Sequence, residues 1–356
     1  MKDFCLKRIN RRCFLKNTVK LCTTIGLSSI LLDCNTTEAS GNPGSGFEPA
    51  YLKLHKTGEL KKRAEKLWNI MENCRLCPRK CEVNRHKGLS GVCQAPGTTL
   101  FVSAFHPHFG EEEPLVGNGG SGTIFLTHCN LRCVFCQNWE ISHLGRGSEH
   151  NIDDLAGMML KLQKIGCHNI NLVTPTHYSA HILKALDIAT QAGLRLPIVY
   201  NTSGWERLEI LKLLDGIVDI YLPDFKYWDS DMSAKFSSEA GSYPEITKKA
   251  ILEMHRQVGQ AKPAPDGIMQ RGLMIRHLVM PNNTGGSENI MGWIAGNLPK
   301  DTYVNIMVQY NPVYKAYDFK EISRRITRKE YANVVNKAKD LGLSNLDIQG
   351  YWWLKR

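Results

Sequence analysis

Cys129, Cys133 and Cys136 fall in the run Thr-His-Cys-Asn-Leu-Arg-Cys-Val-Phe-Cys-Gln-Asn-Trp, directly after a short apolar strand candidate, Thr123 to Thr127. Thiolates are the usual ligands of a four-iron cubane, so three in one loop bind three irons and leave the fourth open to a substrate or cofactor. A structural zinc site with His128 as fourth donor is the competing reading. Structural zinc ligands usually come as two separated Cys-x2-4-Cys or His-x3-5-His pairs, whereas this triplet is compact. Its place at the C-terminal end of a strand favours a cofactor site.

Downstream the sequence alternates strand-like and helix-like segments. Strands are expected at Asn169 to Thr174, Leu196 to Asn201, Val218 to Pro223, Arg271 to Met280 and Thr302 to Val308. Apolar residues at helical spacing place helices over 152–165, 178–192, 244–259, 286–297 and 328–341. Ser203 with Glu206 reads as a capping box for another over 205–214. With Thr123 to Thr127 as the first strand, these make six β/α units. The expected fold class is α/β, a partial (β/α)6 barrel with helices outside a parallel sheet. In such folds functional residues gather at the C-terminal ends of strands. The polar outliers lie there: Thr174-Pro175-Thr176-His177, Asn201-Thr202-Ser203, Asp224-Phe225-Lys226, Arg276-His277 and Gln309-Tyr310-Asn311.

At 356 residues the chain fits one large domain with appendages, read as a leader over 1–46, a helical and cysteine-rich segment over 47–120, and a core with C-terminal closure over 121–356. Of the formal charge of +11, residues 1–46 hold seven basic against three acidic side chains, so seven charges remain on the rest, with no basic stripe interleaved with aromatics. Nucleic acid is therefore not an expected partner. Leu60, Ala64, Leu67, Ile70 and Met71 mark an amphipathic helix within Phe47 to Asn73. It delivers a second cysteine group, Cys74, Cys77, Cys81 and Cys93. Four thiolates close a coordination sphere, so this site reads as structural or electron-relaying, with zinc and a four-iron cluster both open. Arg75, Arg79, Lys80, Arg85 and Lys87 offset the thiolate charge or form a solvated face. Cys167 reads as a small buried hydrophobe.

The Cys-x3-Cys-x2-Cys order with Phe135 before the third cysteine resembles the radical SAM superfamily. That resemblance implies a [4Fe-4S] cluster whose open iron chelates S-adenosylmethionine, and reductive release of a 5′-deoxyadenosyl radical. The blocks Asn-Leu-Val-Thr-Pro-Thr-His, Tyr-Asn-Thr-Ser-Gly-Trp-Glu, Tyr-Leu-Pro-Asp-Phe-Lys-Tyr and Arg-His-Leu-Val-Met-Pro are similar to the uncharacterised homologues of pyruvate formate-lyase-activating enzyme. A Cys-x2-Cys-Pro-Arg-x-Cys segment, as at residues 74–81, also marks that subgroup. The resemblance implies cofactor-binding roles for Phe135, Thr174, Asn201, Asp224, Lys226 and His277, a low-potential reductant such as flavodoxin or ferredoxin, and a possible protein substrate of glycyl radical type. Where the superfamily usually has Gly-Gly-Glu at the second strand, this chain has Thr174-Pro175-Thr176-His177. Main-chain carbonyls and the hydroxyls of Thr174 or Thr176 are then the expected replacement acceptors, with His177 free to face substrate. The alternative is a non-enzymatic iron–sulfur electron-transfer or metal-binding protein.

Asn10-Arg11-Arg12-Cys13-Phe14-Leu15-Lys16 ahead of an apolar stretch from Thr18 to Leu32 looks like a twin-arginine export signal, too short for a comfortable bilayer span. Cys34 loosely resembles a lipoprotein cleavage site. Export and a cytoplasmic enzyme with a vestigial extension both stand as expectations. Trp352-Trp353 read as core or closure.

Overall fold

Runs such as Ile198–Thr202 and Tyr303–Met307 are buried at every position, the mark of parallel strands covered on both faces. In a computed structural model the described residues are 46–348 and Gly350. The export-like leader with Cys5, Cys13, Cys22 and Cys34, and the Trp352-Trp353 pair, lie outside the described residues. Ten strands are present among them: β1 Leu100–His108, β2 Ser121–Leu126, β3 Ser148–His150, β4 Ile170–Val173, β5 Ile198–Thr202, β6 Ile220–Pro223, β7 Lys262–Pro263, β8 Met269–Leu278, β9 Tyr303–Met307 and β10 Leu346–Ile348. Their order is β10-β9-β8-β6-β5-β4-β2-β1-β3, with β7 paired to β8.

The six expected strands are β2, β4, β5, β6, β8 and β9, and they pair in parallel in that sequence. The sheet does not close, so the expected partial barrel is the observed architecture. Two edges extend it. β10 adds in parallel to β9, while β1 and β3 add antiparallel beyond β2. The expected N-terminal helix is two, Tyr51–Lys56 and Glu59–Ile70, broken at Thr57-Gly58. Ala50 N–H donates to Asp219 Oδ1 at 2.9 Å and the Tyr51 hydroxyl to the Leu196 carbonyl at 2.9 Å, which tie this segment to the barrel.

Helix 152–165 starts on a capping box of Asn151 and Asp154 and ends at Gly166, and helix 328–340 starts on one of Thr327 and Glu330. The box expected from Ser203 and Glu206 does not form. That helix spans Leu208–Leu214 with Arg207 at its N-cap and no side-chain cap. Glu206 is buried inside instead.

The link from β1 to β2 fills the barrel from the end opposite the cysteine loop. Leu115 packs with Val199, Ile220, Leu222, Met274 and Tyr303 in an interior cluster. Burying each such side chain contributes about 1.5–3 kcal/mol. Glu112 Oε1 accepts from Asn305 Nδ2 at 2.9 Å. Among the described residues no helix is long and apolar enough to cross a membrane.

Candidate active site

β2 leads straight into the cysteine loop. His128 and Arg132 take left-handed φ values of 65° and 53°, which turn the chain around the thiols. Neighbouring segments clamp it: His128 N–H donates to the Ile141 carbonyl at 3.0 Å, Val134 N–H to that of Phe236 at 2.9 Å, and Lys315 N–H to that of Val134 at 3.0 Å. Each sulfur receives a donor. Leu131 N–H points at Cys129 Sγ (3.4 Å), the Ser237 hydroxyl at Cys133 Sγ (3.1 Å) and the Ser142 hydroxyl at Cys136 Sγ (3.2 Å).

Hydrogen bonds to the charged form favour it, so these donors serve thiolates. Burial works the other way, raising Cys129 and pushing Cys133 up to about 12, with the Lys226 charge lowering both. A coordinated thiol is deprotonated outright by its metal. The donor set therefore fits a metal-bound triad. The His128 ring, the fourth donor of the competing zinc reading, shares a 2.7 Å hydrogen bond with the Thr127 hydroxyl. A cubane takes each cysteine on a different iron and does not require thiols converging on one point.

The thiols line a cavity together with Phe135, Thr174, Asn201, Asp224 and Lys226, five of the six expected cofactor residues. Asp224 is its electrostatic centre. Its Oδ2 pairs with Lys226 Nζ at 2.5 Å and its Oδ1 with Arg276 Nε at 2.9 Å. Arg276 Nη2 also donates to Asn201 Oδ1 at 2.6 Å, and Nη1 lies 3.6 Å from Glu111 Oε2. Burial by itself would raise the Asp224 carboxyl, but Arg276 and Lys226 outweigh it and hold it below the usual carboxylate range. Backbone geometry fixes this turn. The Tyr243 hydroxyl lies 2.8 Å from the carbonyls of both Ser203 and Asp224 and accepts from Lys226 N–H at 2.9 Å. Gly204, at φ 79°, passes so close that a Cβ there would lie 2.3 Å from the Asp224 carbonyl oxygen.

Three of the side chains singled out in the sequence lie away from the cavity. His277 does not line the cavity. Successive residues of a strand face opposite sides, so Arg276 and His277 cannot both enter, and it is Arg276 that does. The His277 ring donates to the Phe225 carbonyl at 2.6 Å and meets Ser287 Oγ at 2.7 Å, with burial holding its pKa down at about 4. His177 does not face the cavity either, because after Thr174 (φ 61°) the chain enters a short 3-10 turn, Thr176–Tyr178. Its ring is spent on the Thr127 carbonyl at 2.8 Å. Thr176 gives its hydroxyl to Glu206 Oε1 at 2.6 Å, leaving Thr174 to represent that loop in the cavity.

Glu206 is fully buried, and burial pushes its pKa from 4.5 to about 7 against the hydroxyls of Thr176 and Thr202. A folded pKa above the unfolded one means the protonated acid stabilises the fold fully at low pH, and that contribution is lost as pH rises through about 7. The shift corresponds to about 3 kcal/mol. Glu206→Gln should lose this term, so its urea midpoint should gain on that of the parent between pH 5 and pH 8. Parallel midpoints across that range would refute it. Asp219, also raised to about 7, adds a loss of the same sign to both proteins and cancels in the difference.

The Radical SAM superfamily signature matches residues 123–269, a span that holds the triad, Asn201, Asp224 and Lys226. Over 309 residues the chain is 32% identical to the uncharacterized protein MJ0674 of Methanocaldococcus jannaschii, covering 83% of this chain and 82% of that one. The chain belongs to the radical SAM superfamily. Radical SAM proteins imply a [4Fe-4S] cluster and S-adenosylmethionine as co-substrate. Similar solved structures include a radical SAM methyltransferase from Sphaerobacter thermophilus, at 12% identity and TM-score 0.42 over 63% of this chain and 66% of that one. Methylornithine synthase (PylB) is another, also at 12% and 0.42, over 82% and 74%.

Proposed function

We propose that this radical SAM enzyme cleaves S-adenosylmethionine reductively at the triad and uses the resulting radical to abstract hydrogen from a substrate at the open mouth of the barrel. The observation that carries this reading is one cavity lined both by three thiols with donors aimed at them and by the Asn201, Arg276, Asp224 and Lys226 network. Cluster and cofactor, when bound, supply the electron and the cleavable sulfonium bond.

The residues of this chain do the rest. Lys226, placed between Asp224 and the electrostatic reach of the Cys133 thiol, is the group to hold a carboxylate beside the cluster. Asn201 and Thr174 offer neutral polar partners to ribose or amino groups. Phe135, packed against Tyr227 and Tyr310 with centroids 6.2 and 5.8 Å away, gives an apolar wall that excludes water. The target in this reading is a partner polypeptide that receives the radical on glycine, which rests on the resemblance of the strand-end blocks to activating enzymes. The reductant is a low-potential flavodoxin or ferredoxin, and a chain with a formal charge of +11 suits an acidic donor. A purely electron-transferring protein would need no such polar cavity.

Oxygen-free protein loaded with iron and sulfide, given dithionite and S-adenosylmethionine, should release 5′-deoxyadenosine and methionine in equal amounts. Fully loaded protein that releases neither would overturn the proposal.

A further inference from the structure

Cys74, Cys77, Cys81 and Cys93 take no part in the cavity, and all four are free thiols. The backbone gathers them. Glu82 N–H donates to the Cys74 carbonyl at 3.0 Å and Cys74 N–H to that of Val83 at 2.9 Å, which folds Cys81 back toward Cys74. Lys80, Glu82 and Gln94 take left-handed φ values of 45°, 58° and 64°, one beside each bend of the loop. On the return segment Val92 N–H points at Cys81 Sγ at 3.5 Å, and a Cβ on Gly91 would lie 2.7 Å from that sulfur. Cys77 lies within electrostatic reach of the other three.

Arg85 stands against this group. The sequence leaves it as a counter-charge or a solvated face, but only 1% of it is exposed. Its Nη1 donates to the His177 carbonyl at 2.7 Å and its Nη2 to that of Pro96 at 2.5 Å, while Nε has no partner. Among the described residues no Asp or Glu pairs with it. His177 and His181, which feel its charge, are themselves held neutral by burial. A buried cation without an anion is strongly unfavourable. The Cys93 thiol lies within its electrostatic reach. Four thiolates around iron or zinc keep a net negative charge, which supplies the missing counter-ion.

Arg79, between Cys77 and Cys81 in the chain, joins this group to the catalytic loop. Its Nε donates to the Asn130 carbonyl at 2.9 Å and its Nη2 to that of Ser237 at 3.1 Å, and the Ser237 hydroxyl is the donor to Cys133. A redox-active cluster, unlike a zinc ion, would make use of this bridge to the triad loop.

We infer that Cys74, Cys77, Cys81 and Cys93 hold a second iron–sulfur cluster, with Arg85 as its buried counter-charge and Arg79 linking it to the triad loop. This site stands or falls apart from the cofactor reading of the cavity. The test counts iron and acid-labile sulfide in full-length protein reconstituted without oxygen, alongside visible absorption. Cys129→Ala, Cys133→Ala and Cys136→Ala combined should keep about half of the parent's iron and sulfide. Changing the four N-terminal cysteines to alanine should remove the other half. Arg85→Met should lose second-site iron selectively, and Arg85→Lys should restore it. Loss of all iron from the triad variant overturns the inference even if the four-cysteine variant does not fold. So does one zinc per chain, without sulfide, at the N-terminal group.

Discussion

Replacing Cys129, Cys133 and Cys136 together by alanine should reduce 5′-deoxyadenosine release to the level seen without enzyme, the largest functional effect expected anywhere in the chain. Each cysteine holds a different corner of a cubane, so single changes should come close to the same loss. Packing gives no comparable reason for collapse: the loop is clamped by backbone bonds from Ile141, Phe236 and Lys315 that the substitutions leave untouched. Two controls separate cluster loss from general damage. Cys167→Ala alters a buried thiol distant in role, 3% exposed and without a donor to serve it, and should leave turnover per loaded enzyme unchanged. His128→Ala removes the fourth donor that a zinc site would need, and should leave iron content unchanged because that ring is engaged with Thr127. Product formation by the triple variant would remove the origin of the radical chemistry.

The contrast between the triad and its surroundings explains what a sequence makes visible. A cysteine loop is local: spacing and position after a strand suffice, and the structure needs only to put donors on the sulfurs. Strands such as Ile198–Thr202 are legible because both faces are covered and the apolar run is continuous. β1 is not legible, since Leu100–His108 contains Pro107 and is buried at only two of nine positions, so it shows neither a continuous buried run nor a sustained alternation. Strand periodicity says that Arg276 and His277 face opposite ways but not which way either faces, and the cavity received the one left unassigned. Ser203 and Glu206 satisfy a capping pattern that carries no information about burial. There the pull of Thr176 and Thr202 on Glu206 prevailed, a contact made across strands and invisible in local order. Glu111 and Glu112 lie in an acidic run of the kind usually left to solvent. They turn inward because the β1–β2 link must fill the barrel, and Arg276 and Asn305 await them there.

Asp224→Asn should cost about 3–5 kcal/mol, the usual penalty for removing one partner of a buried pair. The carboxylate faces two cations, Lys226 and Arg276, and all three side chains are between 12% and 16% exposed. Arg276 keeps Glu111 and Asn201 after the change, so Lys226 is the group left without compensation. Lys226→Met in the same background removes that orphan and should recover part of the loss, a coupling of about 0.5–3 kcal/mol between neighbours. The pH dependence supplies a second check. Because the folded pKa of Asp224 lies below its unfolded value, its contribution is present above the ordinary carboxylate range and is lost as pH falls through the folded pKa. Urea unfolding should therefore show the parent losing stability toward acid relative to Asp224→Asn, opposite in direction to the Glu206 effect. Cofactor binding separates a structural network from a binding one. If Lys226 holds a carboxylate beside the cluster, Lys226→Met alone should weaken S-adenosylmethionine binding to fully loaded protein by about tenfold or more, since hydrogen bonds to charged groups contribute about 1.5–3 kcal/mol. Unchanged affinity in that variant would show that Lys226 serves Asp224 structurally and does not anchor the cofactor.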